Sequence, residues 1–247
     1  VSTLLRLGIT GTDTGVGKTV VACALAARAR QLGLGVAVMK PVESGVEARS
    51  SLDNGAEAPR SDAERLMRAA ASSASLDLVR PYVYAAPVAP MVAAQREGRP
   101  VQLGQLDRSR MALETGQELL IVEGAGGILV PLDAETSYLD LFQRWDAEVV
   151  VVAGNRLGVL NHTLLTVRAL EGAGLTVRGV ALSALTPPSS PSGTDEARAT
   201  NFEALSQLLP RVPLFQFPWV VQVDDSEALA QAAATSGLDS LLPRVRT

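Results

Sequence analysis

The sequence is poor in cysteine, histidine, lysine and aromatic residues, and each scarcity narrows what the chain can do. Its single cysteine, Cys23, excludes an intrachain disulfide. On an expected helix it reads as a small buried residue rather than a catalytic thiol. The single histidine, His162, excludes a multi-histidine metal site and a Ser-His-Asp triad. No apolar run approaches the roughly 18–20 residues that cross a bilayer. Basic residues are not in excess: a net charge of −4 and a pI near 5.2 argue against nucleic acid or an anionic membrane as partner. The first apolar run is short for a signal-peptide core and leads straight into a glycine loop, so a cytoplasmic protein is expected.

Lysine is the most telling shortage. Of 22 basic residues only Lys18 and Lys40 are lysine, and the other twenty are arginine. Wherever a generic surface cation suffices, this chain uses a guanidinium. A compact, flexible ammonium is chemically different, so the two exceptions mark places where arginine cannot substitute.

The rest of the composition is that of a globular chain. Hydrophobic residues make up 47% and charged residues 19% of 247, enough for a substantial core. Neither an internal repeat nor a linker interrupts it, so residues 1–247 are expected to form one domain.

An apolar run from Leu4 to Ile9 feeds a loop with Gly11, Gly15 and Gly17, which ends in Lys18-Thr19 and opens onto an alanine-rich helical stretch, Val20 to Arg30. Strand, glycine loop, Lys-Thr and helix in this order describe a phosphate-binding loop. Glycines let backbone N–H groups crowd round phosphate oxygens, and the helix N-terminus adds free donors and a favourable dipole. Lys18 can reach the β- and γ-phosphates, and the Thr19 hydroxyl can bind Mg²⁺. The spacing departs from G-x-x-x-x-G-K-[ST]: Thr12 stands where the first glycine would be, and Gly11 lies one residue earlier.

Further strands are expected at Val36–Met39, Glu118–Val122, Glu148–Ala153, Thr176–Leu182 and Leu214–Phe217, alternating with helices. Ser61-Asp-Ala-Glu64 is a capping box for one of these helices. Residues 46–60 and 186–194 read as loops. Apolar strands alternating with helices imply an α/β fold, a mostly parallel sheet covered on both faces in three layers. The conspicuous polar residues cluster at the ends of these strands: the glycine loop, Lys40, Glu123, Gly154-Asn155 and Ser183. Ligands of open α/β sheets bind outside the carboxyl ends of the strands, so one crevice should collect them. Asp62 and Glu123 are then candidate Mg²⁺ partners beside Thr19, since Mg²⁺ prefers carboxylate, hydroxyl, water and phosphate oxygens.

With these residues in view the chain resembles the dethiobiotin synthetase family. The resemblance rests on Gly11–Thr19, Lys40-Pro-Val-Glu-Ser-Gly45, Ser61-Asp-Ala63, Glu97-Gly-Arg-Pro100, Val122-Glu-Gly-Ala-Gly-Gly127, Leu157–His162, Thr186-Pro-Pro188 and Pro218-Trp219. These occur in the family's order and span nearly the whole chain. The fold it implies is that of the P-loop NTPases. The reaction it implies is ATP- and Mg²⁺-dependent: 7,8-diaminononanoate takes up CO₂ as a carbamate, ATP phosphorylates the carbamate, and the second amine closes the cyclic urea of dethiobiotin. By match to the motifs, Lys18 and Lys40 are catalytic, and with Thr14 and Ser44 they hold diamine and carbamate. Gly126 and Asn161 serve the substrate's carboxylate end, and Thr19, Asp62 and Glu123 serve the metal. Thr12, Asp13, Gly15, Val16, Gly17, Lys18 and Thr19, with Ser183, Pro218 and Gln222, bind the nucleotide. The resemblance also implies a homodimer with the carboxylate end near the subunit interface.

Three positions depart from the family pattern. Gly15 offers no side chain at a variable position; Ser183 stands where an asparagine often reads adenine; Gln222 replaces an acidic residue that would contact the ribose. A rival reading is a nucleotide switch like the plasmid-partition and septum-site ATPases of the same superfamily. Those carry an extra lysine early in the glycine loop, where this chain has Asp13, and often a basic or amphipathic tail where this chain has Asp224 and Asp225.

Overall fold

Four consecutive valines, Val149–Val152, are typical of this chain's strand runs, which are apolar on both alternating faces. Such runs suit strands covered on both sides, as in a parallel sheet between helices. The computed structural model, which describes residues 4–46, 60–187 and 195–244, shows that arrangement. The first half runs β1 (Leu5–Gly11), α1 (Lys18–Gln31), β2 (Val36–Met39), β3 (Val42–Ser44), α2 (Asp62–Ala70), α3 (Leu76–Val79), β4 (Tyr82–Tyr84) and α4 (Pro90–Arg96). The second runs α5 (Leu103–Glu114), β5 (Leu119–Gly127), α6 (Tyr138–Arg144), β6 (Glu148–Gly154), α7 (Val159–Gly172), β7 (Val177–Ser183), α8 (Asp195–Leu208), β8 (Leu214–Phe217) and α9 (Ser226–Thr235). A 3₁₀ turn, Leu238–Leu241, ends the described chain's regular structure.

Six strands form one sheet in the order β2-β5-β1-β6-β7-β8, every pair parallel. Helices flank it, giving the α/β fold of the P-loop NTPases. With Leu7 and Ile9 fully buried, β1 sits at the centre and delivers the glycine loop to the middle of the sheet's carboxyl edge. Helix α1 is buried almost all round and is rich in alanine, which lets α2, α9 and the sheet approach it closely. Among the described residues no helix is long and apolar enough to cross a membrane.

The sequence-based elements hold, with shifted ends and additions. Helix α1 starts at Lys18 rather than Val20, and β5 continues to Gly127 rather than stopping near Val122. The three-residue strands β3 and β4 pair with each other beside the main sheet, and α6 fills a stretch with no expected element. Most of the loops expected at 46–60 and 186–194 lies outside the described residues.

Candidate active site

Strand register brings the two most unusual charges together. Met39 lies opposite Val122, and Ile9 opposite Glu123. One residue past Met39, β2 has ended and Lys40 emerges alongside Glu123 of the continuing β5. Lys40 Nζ lies 2.7 Å from Glu123 Oε1 and 2.9 Å from Asp62 Oδ2. The Thr19 hydroxyl donates to the same Glu123 oxygen at 2.8 Å. Glu123 was expected at a strand end; it lies within β5 and is fully buried. Its other oxygen, Oε2, is buried with no hydrogen-bond partner.

Burial sets the charge states here, and neighbours oppose it. Burial alone would lower the Lys40 pKa, yet Glu123 and Asp62 together hold the ammonium above its ordinary value. Burial pushes the Glu123 carboxyl up against the pull of Lys40, with Asp62 adding to the push. Burial also works against the Asp62 carboxylate, but Lys40 and the Thr19 hydroxyl bring it below the ordinary range. Lys18 is different. It is buried at 7% exposure, and burial pushes its ammonium down despite attraction from Glu123. Its one hydrogen bond among the described residues goes to the Asp13 carbonyl at 3.0 Å. A buried cation with so little compensation is a ready partner for an anion.

The glycine loop is held for such an anion. Gly17 caps α1 with φ of 93°, in the left-handed region that favours glycine. A side chain there would also meet Ser183, whose hydroxyl oxygen lies 2.7 Å from an ideal Cβ on Gly17. The Thr12 N–H donates to the Val152 carbonyl at 2.9 Å, anchoring the loop to β6. Asp13 is exposed; one carboxylate oxygen pairs with Arg156 at 2.6 Å and the other accepts from the Thr14 N–H of the loop at 2.7 Å.

A cleft of about 630 Å³ opens over these groups. Of the residues expected in the site, Thr14, Gly15, Gly17, Lys18, Thr19, Lys40, Ser44, Asp62, Glu123 and Gly126 all line it. Val16 instead packs into the core at 1% exposure. Ser183 is buried against Gly17 at the end of β7. Pro218 lines a separate hollow of about 380 Å³ with Asn155, Arg198 and Gln216. Gln222 is exposed in the turn before α9, where its carbonyl accepts from the Asp225 N–H. Asn161 is exposed on α7 and does not reach the cleft of its own chain. The cleft also contains residues not singled out from sequence. Glu43 sits between Lys40 and Ser44 in one motif, Arg65 lies on the inner face of α2, and Pro87–Pro90 forms a wall.

Mg²⁺ fits the oxygen set. Among the described residues no three acidic, histidine or cysteine side chains gather into a cage. Mg²⁺ does not need one, since it is commonly held by one or two carboxylates, with waters and substrate phosphates completing the shell. Asp62, Glu123 and the Thr19 hydroxyl supply such a partial shell, the unpartnered Glu123 Oε2 has a lone pair to give, and the Lys40 ammonium now sits where a cation belongs.

Comparison with known proteins decides among P-loop families. Residues 6–227 match the family described as AAA domain. The ATP-dependent dethiobiotin synthetase BioD of Anaeromyxobacter dehalogenans strain 2CP-C is 43% identical over 213 residues, covering 86% of this chain and 89% of that protein. The chain belongs to the dethiobiotin synthetase family. ATP-dependent dethiobiotin synthetase BioD 1 of Escherichia coli K12 is 34% identical over 224 residues, 90% of this chain and 94% of that one. A solved structure of the septum site-determining protein MinD with Mg-ADP, from Pyrococcus horikoshii OT3, aligns over 97% of this chain and 91% of that one, with a TM-score of 0.50 at 16% identity. That likeness shows the shared fold. In this chain the P-loop scaffold carries the Lys40-to-Gly45 segment, which supplies both the second lysine and Glu43 to the cleft.

Proposed function

We propose that the protein closes the cyclic urea of dethiobiotin on 7,8-diaminononanoate, using CO₂ and ATP, as a homodimer in the cytoplasm. The observation that carries this reading is the convergence of the only two lysines of the chain with Thr19, Asp62 and Glu123 in one cleft at the phosphate loop. One amine of the diamine takes up CO₂ and loses a proton, giving a carbamate. A carbamate oxygen then attacks the γ-phosphorus of ATP, and ADP leaves. The second amine attacks the carbamoyl carbon, and phosphate departs with the former carbamate oxygen.

The reaction brings two anions together, so the cleft's task is positioning and charge neutralisation. Lys18, at the start of α1, faces the β- and γ-phosphates together with the loop N–H groups. Lys40 approaches the carbamate from the other side, with Thr14 and Ser44 orienting the diamine. Thr19, Asp62 and Glu123 would hold Mg²⁺, which supplies charge neutralisation on the transferring phosphoryl group. No covalent nucleophile is required, which agrees with a buried Cys23 and a lone His162.

The homodimer is supported by Asn161. Its family role is at the substrate's carboxylate end, yet it is exposed on α7 and does not line the cleft of its own chain. Leu165, one turn further along the same face of α7, is 59% exposed. A partner docking on this face would bring Asn161 to the neighbouring cleft. The test is product formation from diaminononanoate, bicarbonate and MgATP, followed by mass spectrometry. Dethiobiotin and ADP in equal amounts support the reading; ATP turnover that needs no diamine favours the nucleotide switch.

A further inference from the structure

Helix α2 begins with more of its backbone satisfied than its own sequence provides. The first N–H groups of a helix have no partner inside it. The capping box settles two of these donors: Ser61 Oγ accepts from the Glu64 N–H at 3.3 Å, and Glu64 Oε2 accepts from the Ser61 N–H at 2.8 Å. The Asp62 N–H is taken from outside the helix. It donates to Glu43 Oε1 at 2.6 Å, across 19 residues of sequence.

Glu43 is itself firmly placed. It lies on β3, is 5% exposed, and its second oxygen accepts from Arg80 Nη1 at 2.8 Å. It also lines the cleft. One short segment therefore holds Asp62 at both ends: Glu43 grips its backbone, and Lys40 grips its carboxylate at 2.9 Å. The two grips differ in kind. An incoming cation competes with the Lys40 ammonium for the carboxylate, whereas the bond to the N–H survives.

We propose that Glu43 is a positioning residue for the metal site, fixing the start of α2 so that the Asp62 carboxylate faces Glu123 and Thr19 when Lys40 lets go. This rests on the reading of Thr19, Asp62 and Glu123 as the Mg²⁺-binding set. The requirement is for one acceptor at the reach of a glutamate, since a single oxygen serves the Asp62 N–H. An aspartate, one methylene shorter, falls short of it. A glutamine keeps the reach and one acceptor while losing the charge, and it is combined with Arg80→Gln so that its amide N–H₂ meets an oxygen rather than the guanidinium from which Glu43 now accepts.

The experiment titrates Mn²⁺, followed by electron paramagnetic resonance, into the full chain holding a non-hydrolysable ATP analogue. The parent is compared with Glu43→Ala, Glu43→Asp and the double variant Glu43→Gln/Arg80→Gln. Affinity for the analogue without metal and the melting temperature are measured in parallel. Glu43→Ala and Glu43→Asp should bind Mn²⁺ about tenfold or more weakly, one lost charge-assisted hydrogen bond, with metal-free analogue affinity unchanged. Glu43→Gln/Arg80→Gln should stay within about threefold of the parent. If Glu43→Ala does not fold, the opposition between the aspartate and glutamine variants decides. Equal loss in glutamine and aspartate variants overturns the inference, because charge rather than the bond would then matter. A parent that binds Mn²⁺ while all variants bind it equally overturns this inference alone. A parent that binds the analogue but no Mn²⁺ overturns the metal reading and this inference with it.

Discussion

Lys18 and Lys40 are buried for different reasons, and their substitutions should differ in consequence. Lys18 donates to a backbone carbonyl, whereas Lys40 neutralises two carboxylates. A guanidinium is larger and planar, and it cannot occupy the space of a compact ammonium in either buried position. Lys18→Arg and Lys40→Arg should each lower turnover by about tenfold or more while the protein stays folded. Near-full activity in either would refute the inference from lysine scarcity. Glu123→Gln should weaken the Mg²⁺ response, with partial rescue by high Mg²⁺ or by Mn²⁺; an unchanged metal dependence would remove Glu123 from the metal's surroundings. For nucleotide choice we propose that Ser183 matters, because the resemblance puts a base-reading asparagine at this position. An asparagine there could pair with both the donor and the acceptor on adenine's edge, which one hydroxyl cannot do. Losing two such bonds forfeits about 1–3 kcal/mol of base discrimination. Other nucleoside triphosphates should therefore support the reaction within about tenfold of ATP in kcat/KM, and Ser183→Asn should restore selectivity. Strict ATP preference in the unaltered protein, with no gain from asparagine, would contradict this.

Among the elements, long apolar runs and local caps were legible and short tertiary pieces were not. Leu214–Phe217 begins and ends where the sequence places it, and the capping box at Ser61 forms. Strands β3 and β4 have three residues each, too few for a periodic signal, and exist because they pair with each other. Helix α6 carries a local signal of its own, since Ser137 and Asp140 form a capping box. Glu123 was misplaced because a glutamate followed by Gly-Ala-Gly-Gly looks like a turn; the compensation that keeps it inside a strand comes from Lys40, 83 residues away in sequence. Asn161 could not be placed at all from one chain. Remote pairs also tie elements together at the sheet's other end. Glu114 of α5 accepts from Arg6 of β1 and from Arg110, each at 2.6 Å. Burial opposes its ionisation, but the two guanidiniums hold its carboxyl below the ordinary range. Its contribution is therefore whole above the ordinary glutamate value, near pH 4.3, and is lost as pH falls through the lower folded value. Glu114→Gln should cost about 1–2 kcal/mol at pH 7, a fall in Tm of about 2–8 °C for a chain of this size. The gap to the parent should close below about pH 4. A gap that persists there would mean packing rather than charge.

At the scale of the whole molecule, the cleft of one chain collects the phosphate loop, both lysines, Asp62 and Glu123, while Asn161 and Leu165 lie exposed on α7 outside it. Leu165→Asp should shift the protein to monomer in sedimentation and raise KM for the diamine by about tenfold, near the worth of one hydrogen bond to a carboxylate. A variant that stays dimeric with unchanged KM would place the interface elsewhere. The central claim is that the cleft neutralises a carbamate and a phosphoryl group so that one can attack the other. It is tested most directly by supplying carbon dioxide labelled with heavy oxygen, together with diaminononanoate and MgATP, and weighing the phosphate released in the first turnovers. If a carbamate oxygen attacks the γ-phosphorus, that phosphate carries the label and dethiobiotin accumulates with it. Unlabelled phosphate accompanying dethiobiotin would mean that the phosphoryl group never joined the carbamate.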